Sequence, residues 1–180
     1  MRKQAAAGAF LILIALSAHA DSVYQSPEAF MAEVFADNVP EMQVLWVSSD
    51  LRNEARTILE HELAGLRIRY WQAGDRSAWI LDEIGKDKPI TTGVVVRDDT
   101  IESIRVLVFR ESRGWEVKHP FFTDQFIGAR AKQDNQLDRN IDGITGATLS
   151  VNALKRQAQL ALLLARYAIT TDTTGSEKSD

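Results

Sequence analysis

Thr91-Thr92-Gly93-Val94-Val95-Val96-Arg97 and Ile101-Glu102-Ser103-Ile104-Arg105-Val106-Leu107-Val108-Phe109-Arg110-Glu111 flank the acidic pair Asp98-Asp99. Both runs are rich in β-branched residues, which pack well on a pleated surface. Aspartates tolerate the left-handed backbone that a tight hairpin requires. The stretch therefore predicts an antiparallel hairpin. Working back from it, Ala78 to Ile84 and Arg67 to Trp71 read as two further strands around the turn Gly74-Asp75, and Met42 to Val47 as a short one. Lys86-Asp87-Lys88-Pro89 is a loop. Ser26 caps a helix that Pro27 opens, running through Phe30, Met31 and Val34. Ser49-Asp50 caps a second, which puts Leu51, Ala55, Ile58, Leu59 and Leu63 on one face.

Working forward, Gly114 turns the chain into a further strand, Trp115 to Lys118. A short helix is expected over Thr123 to Ala131, capped by Thr123. Lys132 to Asn140 is polar and reads as a mobile loop, and Leu149 to Ile169 as the last helix. No internal repeat is present. A meander with helices before and after it predicts a single α+β domain, a twisted antiparallel sheet with packed helices. With 180 residues, 45% of them hydrophobic, the chain has ample material for one core.

Residues 1–20 read as a secretory signal peptide. Arg2 and Lys3 form its charged start, Ala9 to Leu16 its apolar run, and Ala18-His19-Ala20 a small-x-small cleavage site. The competing reading is an uncleaved anchor, although the apolar run is short for a stable span. Cleavage places the mature protein in the periplasm or outside the cell. It removes two of the 21 basic residues, against 25 acidic ones, and moves the formal charge from −4 to −6. An acidic chain is a poor partner for nucleic acid. The absence of Cys excludes a lipoprotein anchor, disulfides, c-type haem attachment and thiolate-bound metals. Residues 170–180 have the composition of a disordered tail.

The densest chemical signal is Asp142-Gly143-Ile144-Thr145-Gly146-Ala147-Thr148, which runs straight into the last apolar helix. Small residues and a hydroxyl at a helix start leave backbone N–H groups open to an anion, and the helix dipole favours negative charge there. This is a phosphate site or a plain Ser/Thr cap. Thr145 either donates to a phosphate or caps the turn, and Ser150 is a further donor near the helix start. Glu111 reads as an acceptor for ring N–H groups or as a solvated turn charge. Trp115 reads as a stacking platform or as core. His61 and His119 have no partners at metal-ligand spacing, and no nucleophile elbow is present.

The same stretch resembles the Asp-x-x-Ser/Thr-Gly-Ala-Thr signature of the FMN-binding domain family. That family includes the C subunit of Na+-translocating NADH:quinone reductase and the G subunit of Rnf complexes. Phe109 to Val117 resembles the family's Arg-Glu-x-x-Gly segment, and Gln125-Phe126-Ile127-Gly128 its Gln-Phe-x-Gly segment. The resemblance implies FMN bonded through a phosphoester to Thr148, placed there by a flavin transferase that takes FMN from FAD. It implies a cofactor site of Thr148, Thr145, Gly146, Ala147, Asp142, Ser150, Glu111 and Trp115. Asp142 would serve recognition or metal-assisted chemistry during attachment.

The expected layout is residues 21–78 as the N-terminal helices and strands of the same domain and residues 79–169 as the FMN-binding domain. The expected function is a secreted electron carrier serving redox partner proteins, membrane-bound ones among them. Two other readings stand beside it: a flavin-dependent reductase subunit acting with a partner chain, and a periplasmic binding or assembly module without flavin. No catalytic acid/base constellation is visible, which favours a carrier or a redox subunit over a stand-alone enzyme.

Overall fold

The computed structural model describes residues 21–176, with side chains to residue 169. The expected signal peptide and the last residues, 177–180, lie outside the described part. Six strands form one antiparallel sheet in the order β1-β6-β5-β4-β3-β2. They are β1 (Ser22–Val23), β2 (Met42–Trp46), β3 (Arg67–Ala73), β4 (Arg76–Ile84), β5 (Pro89–Arg97) and β6 (Thr100–Phe109). The helices among the described residues are α1 (Pro27–Val34), α2 (Ser49–Leu59), α3 (Pro120–Thr123) and α4 (Thr148–Ser176). The fold is the α+β domain that the sequence predicts.

The hairpin at the centre of the sequence pairs β6 with β5, one of the two central strands of the sheet. Arg97 pairs with Thr100, so Asp98 and Asp99 alone make the turn, at φ 47° and 58°. Two consecutive residues at positive φ match the right-handed twist of the strands they join. β4 and β5 pair along nine residues, Arg76↔Arg97 to Ile84↔Pro89. The apolar runs supply both faces of the sheet. Trp79, Val94, Ile101 and Ile104 pack against α2 and α4 in the larger core. Ala78, Val95 and Leu107 pack under α1 in a smaller one. A Cβ at Gly93 would stand 2.5 Å from the Phe30 ring, so α1 lies on β5 where β5 has no side chain.

Several local readings change. Trp115–Lys118 is a 3-10 turn and not a strand. The outer edge of β6 is already paired with β1, and the Val117 N–H closes back on the Gly114 carbonyl. The helix expected from Thr123 begins earlier, because Pro120 starts α3, and a 3-10 turn ends it at Phe126. Thr123 makes no capping bond; its hydroxyl donates to the His119 carbonyl. Ser48, one residue ahead of the expected cap, accepts from Leu51 N–H at the start of α2. α4 extends past Ile169 to Ser176, since no Pro or Gly interrupts it before Gly175.

The loop expected to be mobile, 132–140, is tied down. Leu137 and Asn135 are buried, and Ala131 bridges Leu137. Asn135 donates to Glu54 on α2 at 3.1 Å and accepts from Arg166 on α4 at 2.7 Å. Polar composition alone suggested solvent. Two of its residues instead find partners in the groove between the helices.

Candidate functional site

The start of α4 is built by a turn that only glycine makes easily. Ala147 N–H donates to the Ile144 carbonyl at 3.0 Å, and Gly146, third residue of that turn, has φ +83°. Positive φ at this position is the requirement of a type II turn. The helical ladder then opens with Val151 N–H on the Ala147 carbonyl. Ala147 is therefore the cap position, and Thr148 is the first helical residue rather than the N-cap. No side chain caps the helix from Ala147. The N–H groups of Thr148, Leu149 and Ser150 precede the ladder and have no intrahelical acceptor. Thr148 is exposed, while Ala147 and Ser150 are buried.

The Arg-Glu-x-x-Gly segment meets this helix start. Gly114 sits at φ +83°, and a Cβ there would collide with Ser150 Oγ and come within 3.4 Å of the Ala147 Cβ. Two separate reasons, backbone conformation and space, thus demand glycine. The close approach brings Glu111, Ser112 and Arg113 opposite Gly146 to Ser150. Between them, closed on a third side by Lys86, lies a pocket of about 480 Å³, within the range of small-molecule sites. Lys86 and Arg113 bring two cationic side chains to the mouth of a helix N-terminus. The arrangement suits an anion, and phosphate is one that such a helix start can hold.

Glu111 would spoil that field if its charge were free, but its charge is committed. One carboxylate oxygen accepts from the N–H groups of Lys86, Asp87 and Lys88 at 2.6, 2.6 and 2.8 Å. Burial pushes the carboxyl up, and these three donors outweigh it and hold it below the ordinary carboxylate range. Glu111 is not a simply solvated turn charge: its Oε1 is held by backbone, while the residue also lines the pocket. It clamps the β4–β5 loop, and the clamp carries Lys86 to the pocket.

The third segment supports the signature from behind. Gln125 Oε1 accepts from the Asp142 N–H at 2.7 Å. Arg139 donates to the Ile127 and Gly128 carbonyls at 2.7 Å each. Phe126, wholly buried, anchors the segment in the core. All three sequence segments therefore converge on one place, from positions up to 39 residues apart.

Of the sequence-expected residues, Thr148, Gly146, Ala147, Ser150 and Glu111 line the pocket. Asp142, Thr145 and Trp115 do not. Asp142 is exposed, and its carboxylate accepts from Asn140 at 3.2 Å. Among the described residues no three His, Cys, Asp or Glu side chains gather at metal-binding distance. Thr145 is exposed at the second position of the turn. Trp115 is 46% exposed and meets His119 edge-on at 5.5 Å. It is neither core nor part of the pocket wall. Lys86 and Arg113 are pocket cations that the sequence does not mark as site residues. Lys86 stands 60 residues from Gly146, and the β4–β5 pairing and the Glu111 clamp bring it in.

No curated protein matches the chain. A family model does: residues 85–163 match the FMN-binding domain, a span that holds Lys86, Glu111, Arg113, Gly114 and the whole helix-start signature. By that match, residues 85–163 of the chain form an FMN-binding domain.

Proposed function

We propose that the protein is an exported electron carrier whose FMN is bonded through its phosphate to Thr148. The observation that carries this reading is an exposed Thr148 at a helix start, in a pocket that Lys86 and Arg113 also line. The residues present fit a phosphoester. Unpaired helix N–H groups and two cations meet its negative charge, and the nearest carboxylate is bound to the Lys86–Lys88 loop. In the attachment step Thr148 Oγ1 attacks the FMN-side phosphorus of FAD. The pyrophosphate P–O bond breaks, AMP leaves, and the hydroxyl proton passes to solvent. A flavin transferase supplies the FAD and the catalysis. When bound, FMN takes up and gives out one or two electrons, and the protein sets its position and field.

Export follows from the signal-like residues 1–20, and a covalent bond suits a compartment where free cofactor diffuses away. The pocket carries no pair of acid and base groups for a substrate of its own, which favours a carrier serving redox partner proteins, including membrane-bound ones. The test is an intact-mass measurement of the exported chain, expressed with and without a flavin transferase. The expected result is a mature chain beginning at Asp21, heavier by one FMN less a water only when the transferase is present. Loading without the transferase would overturn the transferase's role, and a yellow protein that loses its colour on denaturation would overturn covalent attachment.

A further inference from the structure

A second cavity, of about 740 Å³, lies outside the flavin pocket. Leu160 excepted, its walls come from residues 27–83, which the family match does not cover. Its cause is a split in the sheet. β3 and β4 pair only from Ala73↔Arg76 to Tyr70↔Trp79. Beyond that point β3 continues through Arg69, Ile68 and Arg67, paired with β2 on its far side. β4 continues from Ile80 to Ile84, paired with β5 on its far side. The two strands thus present facing edges with no ladder between them, and both edges line the cavity. Among the described residues no backbone hydrogen bond from a turn or loop reaches either edge.

An open strand edge is a row of N–H and C=O groups set at the spacing of another strand. The ligand that matches it is an extended peptide, which returns main-chain donors and acceptors in the same alternation. Both sides of this gap carry apolar residues, with Glu28, His61, Arg67, Arg69, Asp82 and Glu83 around them. Met31 and Trp71 belong to the α1 face of the sheet, and Leu63 and Leu160 to the α4 face. A strand seated between such layers is buried on both faces and needs apolar side chains in both directions.

We propose that the cleft between β3 and β4 binds an extended, apolar segment of a partner protein by adding it to the free edge of β4, with Arg67–Arg69 as the opposite wall. The five residues Ile80–Ile84 give it a run of about 17 Å at strand spacing. This proposal is independent of the flavin reading.

The probe is the blocked peptide acetyl-Lys-Val-Val-Ile-Val-Thr-Lys-amide, beside a copy N-methylated at alternate residues, which lacks the donors of one edge. Hydrogen exchange on the full mature chain should slow at least tenfold at alternate amides between Ile80 and Ile84 when the probe is saturating. The N-methylated copy should give no slowing. Ala64→Trp places an indole in the cleft and should abolish the effect. Flavin loading of Thr148 is measured on the same variant and should be unchanged, so failure of one reading is visible apart from the other. Equal slowing with the N-methylated copy would overturn main-chain pairing. No slowing at millimolar probe, or displacement of an apolar dye from the cavity without slowing, would overturn the peptide site altogether.

Discussion

At Thr148 the placement of one residue decides both a chemistry and an energy. As the first helical residue it does not cap α4, so its hydroxyl is spare and points to no structural duty. Thr148→Ala should therefore abolish in-gel flavin fluorescence and change stability by no more than about 0.5 kcal/mol, as an exposed site without a partner does. Fluorescence that persists, or peptide mapping that finds flavin on Thr145 or Ser150, would remove Thr148 from the role. Glu111 is the opposite case, a charge whose Oε1 is held by three backbone N–H groups. Glu111→Gln keeps an acceptor but removes the charge from three hydrogen bonds, and charge-assisted bonds exceed neutral ones by roughly 1 kcal/mol. The expected results are faster amide exchange at Lys86, Asp87 and Lys88 and slower flavin loading. The folded carboxyl titrates below its ordinary value of 4.5. Its contribution is thus complete above that value and is lost as pH falls through the lower folded one. Exchange at the three amides should rise over that acidic window in the native protein. In Glu111→Gln it should be fast already and lack the step.

Between elements, the tie that closes the far end of α2 onto β4 and α4 is ionic. Glu83 is buried on β4, and its carboxylate meets His61 Nε2 at 3.1 Å and Arg156 at 3.4 Å. Arg156 also pairs with Glu60. The Glu62 carbonyl on Nδ1 is the largest reason that the His61 pKa is raised above 6.5, with Glu83 adding to it against desolvation. The tie is therefore complete below pH 6.5 and lost as pH rises through the raised folded value. An NMR titration should place the His61 midpoint above 6.5 and bring it down in Glu83→Gln; an unmoved midpoint would show that the carboxylate does not hold the imidazolium. His61, which read as ordinary in sequence, has this partner 22 residues away, a distance that no spacing rule covers. The same limit explains what else was legible. Asp98-Asp99 announces its hairpin because a tight turn is a local event, and the three segments announce the site because each is contiguous. β1 is two residues long and has no pattern to read, and Trp115–Lys118 looks like a strand until the edge it would join is known to be taken. Lys86 enters the pocket through a ladder and a clamp, both of them contacts between distant residues.

For the molecule as a whole, the family match and the folding unit have different borders. The match begins at Gly85, inside the β4–β5 loop, and ends at Leu163, midway along α4. Cutting there strips β5 of the nine-residue ladder with β4 and removes β2, β3, α1 and α2 as well. It also uncovers Leu154, Ala158 and Ala161 of α4, which lie in one cluster with Trp79, Leu51 and Ala55. Ala165 and Ala168, buried beyond the end of the match, belong to the same cluster. Half a sheet cannot bury the face of a helix this long, and an opened central edge invites association. A fragment of residues 85–176 should accordingly show poor amide dispersion and no cooperative thermal transition. The chain from residue 21 should melt in a single step. Three of its four tryptophans, Trp46, Trp71 and Trp79, lie before residue 85, so their fluorescence reports the N-terminal half. Bound flavin reports the pocket. Both signals should fall at one midpoint in the loaded protein. Two separated midpoints, or a fragment with native-like dispersion, would mean that the FMN-binding segment folds by itself and that the N-terminal half is an attachment to it.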